Sequence, residues 1–276
     1  MTGRVPPRRP SLAEERVASL LFVALAPRRA TRPLEPTPAG LQPFDELRLA
    51  RTVGDGSLAA VRFAATGAAR GGVLLLHPWL AWGRTYFHRR GRIEALREVG
   101  YEVLVPDFPG FGSSGPPRLF FDRGVEDALA ALAALLPGRP LHVWGVSSGG
   151  YWAHPVVSRG GFAGAFFEDV SPHLHEWSWR QMPWGRPFYL LFRFALPRAY
   201  RFLDMRLHAA VRAARAATYV SGALDRGVQP ADTRALAEAS GGEAVVVEGA
   251  GHLDAIRVDG QRLLALALAT FERATR

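Results

Sequence analysis

The chain is 276 residues long with a formal net charge of +9; 48% of it is hydrophobic, 21% is charged, and it contains no cysteine. That balance provides for one large folded domain with attached segments, and it excludes disulfides, thiolate zinc sites and a cysteine nucleophile. Lysine is absent too, which removes a Walker-type phosphate lysine and Schiff-base chemistry, and the arginines are scattered from Arg4 to Arg276 without a nucleic-acid-binding motif, so no nucleic-acid partner is expected.

Residues 1–45 read as an amino-terminal arm. Ser11 followed three residues later by Glu14 is a capping-box pattern, and it predicts a helix that begins there and runs into the apolar stretch 17–26. About ten apolar residues are half of what a bilayer span needs, so this helix does not cross a membrane. Arg8, Arg9 and Ala24-Leu25-Ala26 give the arm some likeness to a secretory signal, but Glu14 and Glu15 stand where such signals are basic or neutral. A cytoplasmic location is therefore expected over secretion. The helix is expected to dock on the main domain; the alternative is weak contact of residues 11–29 with a membrane surface, beside Arg28, Arg29 and Arg32. A proline-rich linker follows.

From residue 46 to 276 strand-like and helix-like segments alternate. ELRLARTV and LAAVRFAAT, separated by GDGS, predict an antiparallel hairpin. VLLLH, YEVLVPD and LHVWGV are mostly apolar runs and read as strands buried on both faces. FHRRGRIEALREVG, GVEDALAALAALLPG and SGGYWAHPVVS read as the helices between and after them. GFAGAFFEDV, ATYVSGALD and EAVVVEGAGH supply further strands, PADTRALAEASG a helix, and a last helix reaches the carboxyl end. Such alternation predicts an α/β fold, a mostly parallel central sheet with helices on both faces, whose ligands bind beyond the carboxyl ends of the strands. Residues 171–215 hold no strand-like run and many aromatics, and read as a helical lid inserted into the domain.

The chemistry-bearing residues fall at the ends of the predicted strands. Gly145-Val-Ser147-Ser148-Gly149 fits G-x-S-x-G between a strand and a helix: side chains at the two glycines would strike the neighbouring strand and helix, and Ser147 is held at the tip of a strained turn. A serine hydroxyl attacks only when a base takes its proton, and the base needs an acid to orient it. His252 follows the apolar strand ending EAVVVEG, and Asp225 ends SGALD after the preceding strand. Asp169, after AFFE, is the alternative acid and Glu168 a third choice; motif fit favours Asp225.

These matches resemble the α/β-hydrolase fold family in its serine-hydrolase, esterase- or lipase-like branch, across about residues 46–276. His77-Pro-Trp-Leu80 stands where that family has a His-Gly loop, Asp107-Phe-Pro-Gly-Phe-Gly-Ser113 looks like its D-x-P-G-x-G-x-S turn, and Gly222-Ala-Leu-Asp225 like its acid loop. The resemblance implies Ser147 as nucleophile, His252 as base and Asp225 as acid, with the backbone N–H groups of Ser148 and Trp79 as an oxyanion hole. Pro78 replaces the usual glycine and has no N–H, which makes Leu80 the fallback donor. With no lysine and no asparagine, the composition points to a GC-rich bacterial genome.

The function this implies is cleavage of a carboxylic ester or related acyl bond of a mainly apolar small molecule through an acyl-enzyme, with no cofactor. A catalytically silent hydrolase-like binding protein and a peripheral membrane lipase or lysophospholipase remain as alternatives. Serine rather than aspartate at 147 speaks against epoxide hydrolase and dehalogenase chemistry. In the lid, Trp177, Trp179 and Trp184 are candidates to line the pocket, and Arg180 or Arg186 could face a substrate carboxylate. His77 is expected to fix its loop, Asp107 and Ser113 their turn, and His154 to be a satisfied buried histidine. No metal is expected, since His173 and His175 lack metal-binding spacing and a carboxylate set.

Overall fold

The computed structural model describes residues 4–25, 38–41, 44–50, 57–79, 83–115, 123–181 and 186–276. Its centre is an eight-stranded sheet. The strands are β1 (Asp45–Ala50), β2 (Ser57–Phe63), β3 (Gly71–Leu76), β4 (Tyr101–Pro106), β5 (Leu141–Val146), β6 (Gly164–Glu168), β7 (Ala216–Gly222) and β8 (Glu243–Val247). They lie in the order β1-β2-β4-β3-β5-β6-β7-β8. β2 runs antiparallel to both β1 and β4, and every other pairing is parallel. The GDGS turn expected between β1 and β2 falls mostly outside the described residues.

β3, β4, β5 and β6 are buried along their whole length. Because successive side chains leave a strand on opposite faces, each apolar run feeds two cores. Leu74, Leu76, Leu104, Val143 and Phe167 enter one core. Val73, Leu75, Val103, Trp144 and Phe166 enter the other. The first core is covered by α4 (Gly124–Leu135), α5 (Ser148–Val157) and α10 (Pro230–Ser240), the second by α2 (Gly83–His88), α3 (Arg92–Glu98) and α11 (Ala255–Thr275). FHRRGRIEALREVG, expected as one helix, is divided: Gly91 adopts φ 64 between α2 and α3, a left-handed conformation that glycine takes without strain.

That division turns Arg92 inward. Its guanidinium is fully buried and donates to both Glu168 carboxylate oxygens at 2.8 and 2.7 Å, beneath the Trp144 ring. Glu168 is the last residue of β6, so this ion pair anchors the strand end next to the elbow. Burial acts to lower the Arg92 pKa, but the Glu168 charge together with Tyr86 and the hydrogen bonds to both raises it.

Residues 171–215 form α6 (Leu174–Gln181), α7 (Arg186–Ala195), α8 (Pro197–Phe202) and α9 (Met205–Ala209). α9 packs on α5 and α10, and α8 on α7. The arm helix α1 (Leu12–Leu25) starts on a reciprocal capping box: the Glu14 N–H donates to Ser11 Oγ at 3.2 Å and the Ser11 N–H to Glu14 Oε2 at 3.0 Å. α1 packs on α8, with Ala18 buried in the first core and Arg9 paired to Glu126 of α4. Among the described residues no helix is long and apolar enough to cross a membrane.

Candidate active site

β5 ends where the chain must reverse into α5 within one residue. Ser147, at the corner, has φ 50 and ψ −115, a region disfavoured for a side chain with a Cβ. The two flanking glycines make the corner sterically possible. A Cβ on Gly149 would sit 2.1 Å from the Leu76 carbonyl oxygen at the end of β3, and one on Gly145 would press on Gly149, Gly150 and Ala153 of α5 at 3.1 Å. The Ser147 N–H is tied to the Glu168 carbonyl at 2.7 Å, which fixes the corner to the end of β6.

Ser147 Oγ lies 3.0 Å from His252 Nε2, and His252 Nδ1 donates to Asp225 Oδ2 at 2.6 Å. The Asp225 side chain is buried; its other oxygen accepts the N–H groups of Gly227 and Val228 at 2.8 and 3.0 Å, so the carboxylate is locked by its own loop. With the Nδ1 proton held by Asp225, Nε2 presents a lone pair to the serine hydroxyl. Burial alone would lower the His252 pKa, but its hydrogen bond to Asp225 and the charges of Asp169 and Asp225 raise it.

Asp169 stands beside this chain of three rather than in it. Its backbone takes φ 52, and its carboxyl accepts the Gly222 N–H at 3.3 Å and the Leu253 N–H at 2.7 Å. It thereby ties the end of β7 to the loop that carries His252. Burial, with the Glu168 and Asp225 charges added, pushes its pKa up to about 7. Ligand-type atoms of Asp169, Asp225 and His252 lie within 4.8 Å of one another. Each of the three, however, already serves the hydrogen bonds just described.

On the other side of Ser147 is the loop after β3. His77 is fully buried; its Nδ1 donates to the Pro78 carbonyl at 2.8 Å and its Nε2 accepts the Phe108 N–H at 3.2 Å. Burial pushes its pKa down to about 4, so one neutral tautomer fits both bonds. Because the peptide is planar and trans, fixing the Pro78 carbonyl also fixes the opposite direction of the Trp79 N–H. Ser148 opens α5, where N–H groups lack intrahelical acceptors and the helix dipole favours negative charge. Leu80 lies outside the described residues. In the turn after β4 the Ser114 hydroxyl donates to the Asp107 carbonyl at 2.7 Å.

The inserted helices place the remaining candidates unevenly. Trp177 is half-buried and lies against Gly227 of the acid loop. Trp179 is exposed, with the Arg186 guanidinium over its ring, and Trp184 lies outside the described residues. Arg180 is committed elsewhere than to a substrate: it grips the Asp232 carboxylate and donates to the Gly227 carbonyl at 3.0 Å, clamping α6 to the acid loop. Arg186 donates to the Trp179 carbonyl. His173 accepts the His175 N–H at Nδ1 and meets the Tyr200 carbonyl at Nε2, which leaves neither nitrogen for a metal. His154 stacks on Phe167 and bonds the Gly150 carbonyl through Nδ1, but its buried Nε2 has no hydrogen-bond partner among the described residues, contrary to the satisfied state expected.

A mostly parallel sheet with a strained serine elbow at a central strand, and an imidazole and a carboxylate on the two strand ends beyond it, defines the class of nucleophile-elbow α/β proteins. The chain belongs to the alpha/beta hydrolase family, whose model matches residues 73–265. No curated protein matches it. Among solved structures it is similar to an esterase of Pyrococcus furiosus, with 19% identity and a TM-score of 0.71 over 88% of this chain and 97% of that one. A thermophilic esterase from Thermogutta terrifontis has 19% identity and a TM-score of 0.59 over 83% and 99%. A puromycin-hydrolyzing peptidase of Mycobacterium tuberculosis has 20% identity and a TM-score of 0.60 over 83% of this chain and 40% of that one. At these identities the likeness is one of fold.

Proposed function

We propose that the protein is a serine hydrolase that cleaves a carboxylic ester or related acyl bond of a mainly apolar small molecule. The observation that carries this reading is the continuous chain from Ser147 Oγ through His252 to Asp225, at 3.0 and 2.6 Å, on a strained elbow. Solved esterases of the same fold add support.

In the reaction Ser147 Oγ attacks the acyl carbon as its proton passes to His252 Nε2. The imidazolium is held by Asp225, and the oxyanion that forms is met by the N–H groups of Ser148 and Trp79, at about 3 kcal/mol per donor. Collapse expels the alcohol, which takes the proton from His252. Water then attacks the acyl-enzyme with His252 again as base, and the carboxylic acid and free Ser147 are released. Each step uses only side chains and backbone of this chain.

A fluorophosphonate probe tests the proposal. The wild-type protein is expected to be labelled at Ser147 and to turn over p-nitrophenyl esters, with both properties lost in Ser147→Ala. A wild-type protein that stays unlabelled and hydrolyses no ester of the series would overturn it, leaving a binding role for the fold.

A further inference from the structure

α7 is apolar on two sides. Phe192 and Leu196 point into the body of the domain and fix the segment there. At roughly 100° per residue, Pro187, Leu190, Leu191 and Phe194 fall together in a different sector, which faces solvent. Phe194 is 77% exposed, Leu191 60% and Leu190 43%, so much of their apolar surface stands in solvent. Arg186 and Arg193 edge this sector, and Arg198 and Arg201 of α8 continue the exposed basic margin. From 186 to 203 there is no acidic residue.

α1 repeats the arrangement. Glu15 and Ala18 are turned inward, while Leu12, Arg16, Val17 and Leu20 share the outward face. α1 and α7 both pack on α8, so the two helices share one neighbour in the inserted segment. Most of the exposed large apolar side chains among the described residues are on these two helices and at Trp179. Apolar side chains standing out from helix faces, edged by cations, match the boundary between acyl chains and anionic headgroups.

We infer that the outward face of α7 docks on an anionic phospholipid surface through Leu190, Leu191 and Phe194, and that the exposed face of α1 joins it there. Charge decides the occupant. A second copy of the chain meeting this face two-fold would set arginines against arginines, whereas phosphodiester headgroups neutralise them. The inference does not depend on the chemistry at Ser147.

The test is co-sedimentation of the full-length protein with vesicles. Binding is expected to vesicles of equal parts phosphatidylglycerol and phosphatidylcholine, weaker binding to phosphatidylcholine alone, and a fall with added salt. Replacing Leu190, Leu191 and Phe194 together by Ser should lower the partition by more than about tenfold. Arg193→Gln should lower it about fivefold, and only on anionic vesicles. Turnover of a soluble p-nitrophenyl ester and the far-ultraviolet circular dichroism should be unchanged in both variants. Ser147→Ala should bind vesicles as the wild type does, which separates this outcome from failure of the hydrolase reading. The inference is overturned if the wild type does not pellet with anionic vesicles, or if the triple variant pellets equally well. It is overturned as well if the wild type is a dimer, binds no vesicles, and becomes monomeric on the triple substitution, for the face then belongs to a second copy.

Discussion

The loops at the carboxyl edge of the sheet and the helices inserted between β6 and β7 are held by different physics. At the sheet edge each position is fixed by backbone. The Ser147 corner stands against the Leu76 carbonyl, Asp225 is bonded by two N–H groups of its own loop, and the base loop is tied to Asp169 through Leu253. The inserted helices are held by side-chain packing and a few partly exposed ion pairs such as Arg180 with Asp232, and α7 still leaves a whole apolar sector in solvent. A backbone-fixed edge tolerates almost no change and suits chemistry; a packed segment can be exchanged and suits the choice of substrate or surface.

Substitutions can break or sharpen that contrast. The largest effect is expected for Ser147→Ala, on the order of 10⁶ in kcat, with His252→Ala no worse in combination than alone, measured on a soluble ester. Asp225→Asn should cost about 10⁴, and it adds a pH signature. Because His252 must be neutral to accept the serine proton and its pKa is raised, the acid limb of kcat/KM should lie above the ordinary imidazole value of 6.5. Asp225→Asn removes the hydrogen bond and charge that raise it, so the limb should move to lower pH. An unmoved limb would remove Asp225 from its assigned role.

Arg92→Met should cost about 3–5 kcal/mol in denaturant unfolding, because it strands the Glu168 carboxylate in the core. Asp169→Asn should lower kcat by about tenfold through loss of one loop hydrogen bond, about 1.4 kcal/mol. It should also change stability against pH. The native Asp169 carboxyl holds its proton up to about 7 and the unfolded one only to 3.8, so wild-type stability falls as pH rises through that window. The asparagine variant, with nothing to ionise there, should lose that slope. Arg180→Ala is the smallest: a partly exposed pair is worth about 1 kcal/mol at most, and activity should stay within a few-fold. If Arg180→Ala cost as much as Asp225→Asn, the division between fixed edge and exchangeable insertion would fall.

The same division decides what the sequence discloses. The buried strands are mostly apolar runs, and the elbow needs glycine at 145 and 149 whatever surrounds it, so both are visible in the order of residues. Asp225 and His252 follow apolar runs at the strand ends and are brought together by parallel pairing of β7 and β8. What stays hidden depends on packing across the chain. Arg92 sits in a stretch dense with surface-like arginines, and only the break at Gly91 turns it inward to a partner 76 residues away. Asp169 reads as a rival of Asp225, yet the structure puts it beside Asp225 as a tie between two loops. Trp177 and Trp179, two residues apart on one helix, have different surroundings because α6 meets the body on one side only.

Two carboxyl groups beside one imidazole also make the site a small proton reservoir. With Asp169 protonated, Asp225 ionised and His252 neutral, the trio carries one negative charge, and capture of the serine proton brings it to zero. Once Asp169 ionises, the same capture ends with one negative charge still unbalanced, so the imidazolium is held more tightly and gives its proton to the departing alcohol less readily. In the proposed reaction, rising pH thus makes His252 a better base and a poorer acid within one turnover. Poor leaving groups should feel the weaker acid first, whereas activated esters, which depart without a proton, should register only the stronger base.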